Sequence, residues 1–206
     1  MHIKTFPCGP YATNTYVVAC PQTKNACVVD PAVDSFSIVS RYLTENQLQP
    51  FWVLLTHSHW DHIAEVSEFH KHYSIPVALH REDAYNLEAP GADLLPYRVQ
   101  ITPVKPERLL EEGDEIFVGQ LRFRVIHTPG HTPGGICFYC EQEGVLLSGD
   151  TLFRGSIGNL SLPTGQPARM RDSLLKLALL PKETRVYPGH GPETTIGAEP
   201  WLARPI

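Results

Sequence analysis

The sequence predicts an α/β fold, a four-layer αββα sandwich, and three observations lead to it. Its elements run in the order strands, helices, strands, helix. Several strand segments are continuously apolar, so both of their faces need cover, which two sheets packed face to face with helices outside would supply. The 206 residues have the length of one large domain, able to bury roughly 70% of the unfolded surface, and no linker or low-complexity tract interrupts them. Residues 1–206 are therefore expected to form a single domain.

The N-terminal part reads as antiparallel β, with Thr15 to Cys20 and Ala26 to Asp30 rich in valine and separated by a turn of Pro, Asn and Lys. Ser35 reads as the N-cap of a helix running to about Asn46. Phe51 to Thr56 is a short continuous apolar run, expected to be a strand buried on both faces. Helical spacing over Glu65 to Tyr73, a strand at Val77 to His80 and a short helix over Arg81 to Leu87 give a β-α-β pattern. Ala89 to Lys105, punctuated by prolines and a glycine, is a long irregular segment and a candidate lid. Strand signals return at Glu115 to Val118, Leu121 to His127, Ile136 to Cys140 and Val145 to Ser148, with glycine-containing turns between them. A helix over Pro167 to Leu180, ended by Pro181, leads to a last strand at Arg185 to Tyr187.

A net charge of -5 without any cluster of Lys or Arg argues against nucleic acid as a partner. No apolar run approaches the roughly 18 residues of a membrane span. Met1-His2-Ile3-Lys4 enters a strand-like pattern rather than a signal-peptide core, so the expected location is the cytoplasm. Five cysteines are an odd number at low density, which fits a reducing compartment. Cys137 and Cys140 have the spacing of a redox or zinc pair. On a strand, however, residues three apart face opposite ways, so both read as small buried hydrophobes.

The ten histidines carry more information. Thr56-His57-Ser58-His59-Trp60-Asp61-His62 follows directly on an apolar strand, so a rigid element supports it. In extended chain, residues two apart share a side: His57 and His59 can converge on one ion while Asp61 and His62 turn towards another. Three further segments place a possible ligand just after an apolar strand in a Gly- or Pro-rich loop. They are His131 within Thr128 to Gly135, Asp150 within Leu147 to Thr151, and His190 within Tyr187 to Gly191. Each alone would read as an ordinary turn residue; their repetition points to a metal site.

In these motifs the chain resembles the metallo-β-lactamase superfamily, and within it the type II glyoxalases, or hydroxyacylglutathione hydrolases. The resemblance covers almost the whole length and rests on His-x-His-x-Asp-His at His57 to His62, Thr-Pro-Gly-His-Thr-Pro-Gly at Thr128 to Gly134, Gly-Asp-Thr-Leu-Phe at Gly149 to Phe153, and Pro-Gly-His-Gly at Pro188 to Gly191. It implies the αββα fold, a first divalent ion on His57, His59 and His131, a second on Asp61, His62 and His190, and Asp150 bridging both. It also implies hydrolysis of a small-molecule thioester by hydroxide shared between the ions, with Asp61 and Asp150 as the catalytic carboxylates. Zinc is the first choice of metal, since imidazole and carboxylate donors suit Zn, Fe and Mn.

Two positions depart from the family pattern. Ala64-Glu65 stands where relatives carry a glycine pair, and Asn159 where many carry an arginine. Full-length type II glyoxalases have a C-terminal helical region that grips glutathione; here 16 residues follow His190, as in the short single-domain relatives. Three other readings compete. A persulfide dioxygenase would need one iron on His57, His131 and Asp150, a lactonase would use the same hydroxide on an ester, and a non-catalytic metal-binding module would bind without turnover.

Overall fold

The valine-rich N-terminal segments pair as an antiparallel meander in the computed structural model, which describes residues 1–203; the final residues of the predicted domain, 204–206, lie outside the described residues. Strands β1 (His2–Cys8), β2 (Thr13–Ala19) and β3 (Asn25–Val29) are successive neighbours. Helix α1 (Ser35–Glu45) crosses over to β4 (Gln49–Leu54), parallel to β3. Two short helices, α2 (Trp60–Ile63) and α3 (Val66–Tyr73), precede β5 (Val77–His80), parallel to β4. After α4 (Ala84–Glu88) and the irregular segment, β6 (Arg108–Leu110) completes a six-stranded sheet in sequence order.

The second sheet is built the same way. Strands β7 (Glu115–Val118), β8 (Leu121–His127), β9 (Ile136–Cys140) and β10 (Val145–Gly149) form an antiparallel meander. Helix α5 (Pro167–Ala178) crosses to β11 (Arg185–Pro188), parallel to β10, and the two-residue β12 (Thr194–Thr195) forms the edge.

Strand alternation sorts the apolar side chains into three cores, hence four layers. Val17 and Ala19 of β2 pack against the layer of α1 and α3 with Val39, Leu43 and Phe69. Tyr16 and Val18 face the opposite sheet and meet Phe123, Ile136 and Phe138. Cys137 and Tyr139 point outward to Met170, Leu174 and Leu177 of α5. Burying side chains such as Phe138 or Leu174 contributes roughly 1.5–3 kcal/mol each. The αββα prediction holds, and Cys137 and Cys140 lie in different cores, as alternation requires. Trp201 packs on the α5 layer and donates its indole N–H to Glu199. No helix among the described residues is long and apolar enough to cross a membrane.

Local expectations change in three places. The apolar run Phe51 to Thr56 is buried on both faces only from Val53 onward; Phe51 is 50% exposed because β5 pairs with β4 only at Val53 and Leu54. The candidate lid is anchored: Asn86 accepts the N–H of Gly91 and Asp93 and donates to the Asp93 carboxylate, while Ile101 and Val104 are buried. Ser35 is the first residue of α1 rather than its N-cap. Asp34 holds the cap position in left-handed backbone, φ 64°, without a capping side-chain bond.

Glu65 performs the capping from 30 residues away, its carboxylate accepting from the N–H of Asp34 and Phe36 and from the Ser35 hydroxyl. Replacing it with alanine is expected to cost about 1–2 kcal/mol, read from the denaturant midpoint. An unchanged midpoint would remove this cap from the account of stability.

Candidate metal centre

Parallel pairing of β3, β4 and β5 in one sheet and of β10 and β11 in the other gathers strand C-termini at one edge of the sandwich, where α/β sheets generally bind ligands. His57, His59, Asp61 and His62 follow β4, the last two on the first turn of α2. His131 lies in the loop between β8 and β9, Asp150 directly after β10, and His190 two residues after the end of β11.

The structure brings all of the sequence-predicted site residues together. Ligand atoms of His57, His59 and His131 lie within 4.8 Å of one another, as do those of Asp61, His62 and His190. Asp150 sits between the two groups. Its Oδ2 is 3.3 Å from His131 Nε2 and 3.5 Å from His190 Nε2, and its Oδ1 is 3.5 Å from His62 Nε2.

Hydrogen bonds behind the rings decide which nitrogen each presents. His131 Nδ1 donates to the Asn159 carbonyl at 2.9 Å and His190 Nδ1 to the Tyr11 carbonyl at 3.1 Å. His62 Nδ1 donates to Asp30 Oδ2 at 3.0 Å. The Thr56 hydroxyl spends its only hydrogen on Asp30, so it must accept from His57 Nδ1 at 3.1 Å. The Thr164 hydroxyl likewise donates to the His131 carbonyl and must accept from His59 Nε2 at 2.9 Å. Four rings therefore turn Nε2 inward and His59 turns Nδ1 inward, each fixed from behind as metal-ligating histidines usually are.

Those inward atoms are what a cation would satisfy. His57 Nε2, His131 Nε2 and Asp150 Oδ1 are buried without a hydrogen-bond partner among the described residues, a costly state for polar atoms unless an ion meets them. Burial, reinforced by the neighbouring imidazoles, holds His57 and His59 well below the usual imidazole range, in the neutral form that ligates metals. His62 behaves oppositely. Burial works against its charged form, but the carboxylates of Asp61, Asp150 and Asp30 push it up to about 10. A divalent cation among the same carboxylates would make that proton redundant. The donor set fits metal.

Two supporting carboxylates escaped the sequence reading. Asp30, at the end of β3 with φ 50°, accepts from the Thr56 N–H and hydroxyl and from His62. Asp83, 1% exposed, ties two ligand loops together: Oδ2 accepts the Ser58 N–H at 2.9 Å and Oδ1 the Gly134 N–H at 2.6 Å. Burial pushes its carboxyl up to about 6. A Cβ on Gly134 would stand 2.6 Å from Asp83 Oδ1, so Gly134→Ala is expected to destabilise by about 1–3 kcal/mol in chemical unfolding. Thr13 was missed as well; its hydroxyl donates to Asp61 Oδ2 at 2.7 Å. An Asp between an apolar strand and a proline, as in Val28-Val29-Asp30-Pro31, was the one local signal available for these supports.

Residues 8–190 match the family model of the metallo-β-lactamase superfamily. The chain belongs to that superfamily. Among solved relatives, the BLEG-1 B3 metallo-β-lactamase superposes with a TM-score of 0.90 at 39% identity, covering 98% of this chain and 100% of that one. TTHA1623, solved in a di-iron-bound form, gives 0.80 at 38% identity over 95% of this chain and 96% of its own. A hydroxyacylglutathione hydrolase of Haemophilus influenzae is 30% identical over 97% of this chain and 95% of its own length.

The two departures from the superfamily pattern acquire physical roles. Glu65, in place of a glycine, caps α1 as described above. Asn159 supports the site through its main chain, which receives the His131 proton, while its side chain accepts the Ser161 N–H at 2.9 Å. His131 is thus oriented without any help from a side chain at position 159.

Proposed function

We propose that this chain is a dinuclear metal-dependent hydrolase that cleaves S-2-hydroxyacylglutathione or a related thioester. His57, His59 and His131 would hold the first divalent ion, Asp61, His62 and His190 the second, with Asp150 shared between them and zinc as the first choice of metal. One observation carries the reading: four separated segments aim their lone pairs at one another with a carboxylate between the two groups. The hydroxyacylglutathione hydrolase among the relatives and the di-iron form of TTHA1623 support it.

Bound divalent ions polarise a carbonyl and lower the pKa of water from about 16 towards 7, which supplies the nucleophile at neutral pH. The protein's own side chains do the positioning. Asp61, fixed by the Thr13 hydroxyl and held well ionised by His62 and His190 despite its burial, offers a carboxylate that can orient the nucleophile, its basicity being reduced by the same charges. His62, His131 and His190 are locked from behind, so the donors need no reorganisation on binding substrate. The lining of the cleft above them holds no serine or cysteine among the described residues, in keeping with water rather than a hydroxyl or thiol side chain as the nucleophile.

The deciding experiment is hydrolysis of S-D-lactoylglutathione by protein of measured metal content, with a β-lactam as the comparison substrate. Turnover with two ions per chain is expected. One iron per chain with oxygen consumption on glutathione persulfide would overturn the assignment. Chelation should abolish turnover and lower unfolding stability by about 2.7 kcal/mol for each ion lost if free metal stood at about a hundred times its Kd, which calorimetry before and after chelation measures.

A further inference from the structure

The cleft over the donor cluster has a volume of about 540 Å³, within the range of small-molecule sites. Apart from the donors and the uncharged Asn159, its walls are set by Tyr11, Trp60, Leu95, Pro96, Phe153 and Leu162. Trp60 lies between His59 and Asp61 in the chain, and its ring meets Tyr11 at 5.3 Å in a tilted pair. Phe153 stands edge-on to His190 at 5.9 Å. Tyr11 is held at the mouth by its own carbonyl, which receives the His190 proton, yet its side chain is 62% exposed. An aromatic ring kept in water at the lip of a cleft is apolar surface available to a ligand.

The charges point the same way. Among the described residues the lining holds no Lys or Arg, and its fixed anions are Asp61 and Asp150. Arg154, next to Phe153, turns away and donates through Nε and Nη2 to the Glu193 carbonyl. Glutathione brings two carboxylates and an ammonium, groups that need charged partners when they leave water. This wall offers its carboxylates none.

We propose that the cleft selects thioesters whose thiol part is uncharged and apolar, in preference to glutathione thioesters. The proposal rests on the hydrolase reading above and narrows its substrate class. The reaction is unchanged: water adds across the acyl C–S bond, giving a carboxylic acid and the free apolar thiol.

Two lactoyl thioesters that differ only in the thiol, benzyl mercaptan and glutathione, test it on metal-loaded protein. The benzyl thioester should show kcat/KM at least tenfold higher, through a lower KM, and Leu162→Arg should narrow that ratio by supplying a cation. A readout without turnover accompanies it. Titration with phenylacetamide should give a saturable change in tryptophan emission that Trp60→Phe removes. Equal or better use of the glutathione thioester would overturn the apolar selection while leaving the hydrolase intact, and so would the absence of a saturable phenylacetamide signal. Turnover of neither thioester would instead remove the hydrolase reading on which the proposal stands.

Discussion

Asp150→Ala is expected to lower kcat on a lactoyl thioester by at least about a hundredfold and to reduce bound metal from two ions per chain to one or fewer. The size of the effect follows from its position. Among the described residues its oxygens are the only carboxylate atoms within 3.5 Å of imidazoles from both donor groups, 3.3 Å from His131 and 3.5 Å from His62 and His190. Removing it would take negative charge from between the two proposed cations and leave them to repel. Asp61→Ala should cost a similar factor in kcat but spare the first group, so that one ion per chain remains. Metal analysis alongside initial rates separates the two variants, and wild-type rates in either would remove that carboxylate from the mechanism.

Asp30→Ala is expected to be the most destabilising substitution next to the site, at about 3–5 kcal/mol, because it strips one buried carboxylate from three donors at once. The Thr56 N–H, the Thr56 hydroxyl and His62 Nδ1 would all be left inside the protein without an acceptor. Asp30→Asn makes a gentler probe. It keeps the shape but cannot accept from every donor, so His62 loses the bond that turns Nε2 inward. Metal affinity should then fall by about 10–100-fold with the fold intact. Isothermal titration of the stripped protein measures it, and wild-type affinity in Asp30→Asn would show that His62 does not need this support.

The contrast between Asp61 and Asp30 shows what the sequence made legible. His57, His59, Asp61 and His62 fall within six residues at a strand end, where the period of the chain alone tells which can share an ion. His131, Asp150 and His190 are legible because each follows an apolar strand into a Gly- or Pro-rich loop. Asp30 acts on residues 26 and 32 positions away, and Thr164 on His59 from 105 positions away, so no window of sequence contains the pair. The cap of α1 failed for the same reason: Ser35 is the kind of residue that caps locally, but Glu65 arrives from the start of α3. Strands β6 and β12, three and two residues long, are too short to show alternation.

Each sheet comes from one continuous half of the chain, β1 to β6 up to Leu110 and β7 to β12 from Glu115. Neither proposed ion can be bound by one half alone, since His57 and His59 wait for His131, and Asp61 and His62 for His190. A nick in the Glu111–Asp114 turn would therefore yield two fragments whose reunion is reported by cation uptake. In the intact chain the ions would act as rivets across the seam, gripping only after both halves have met.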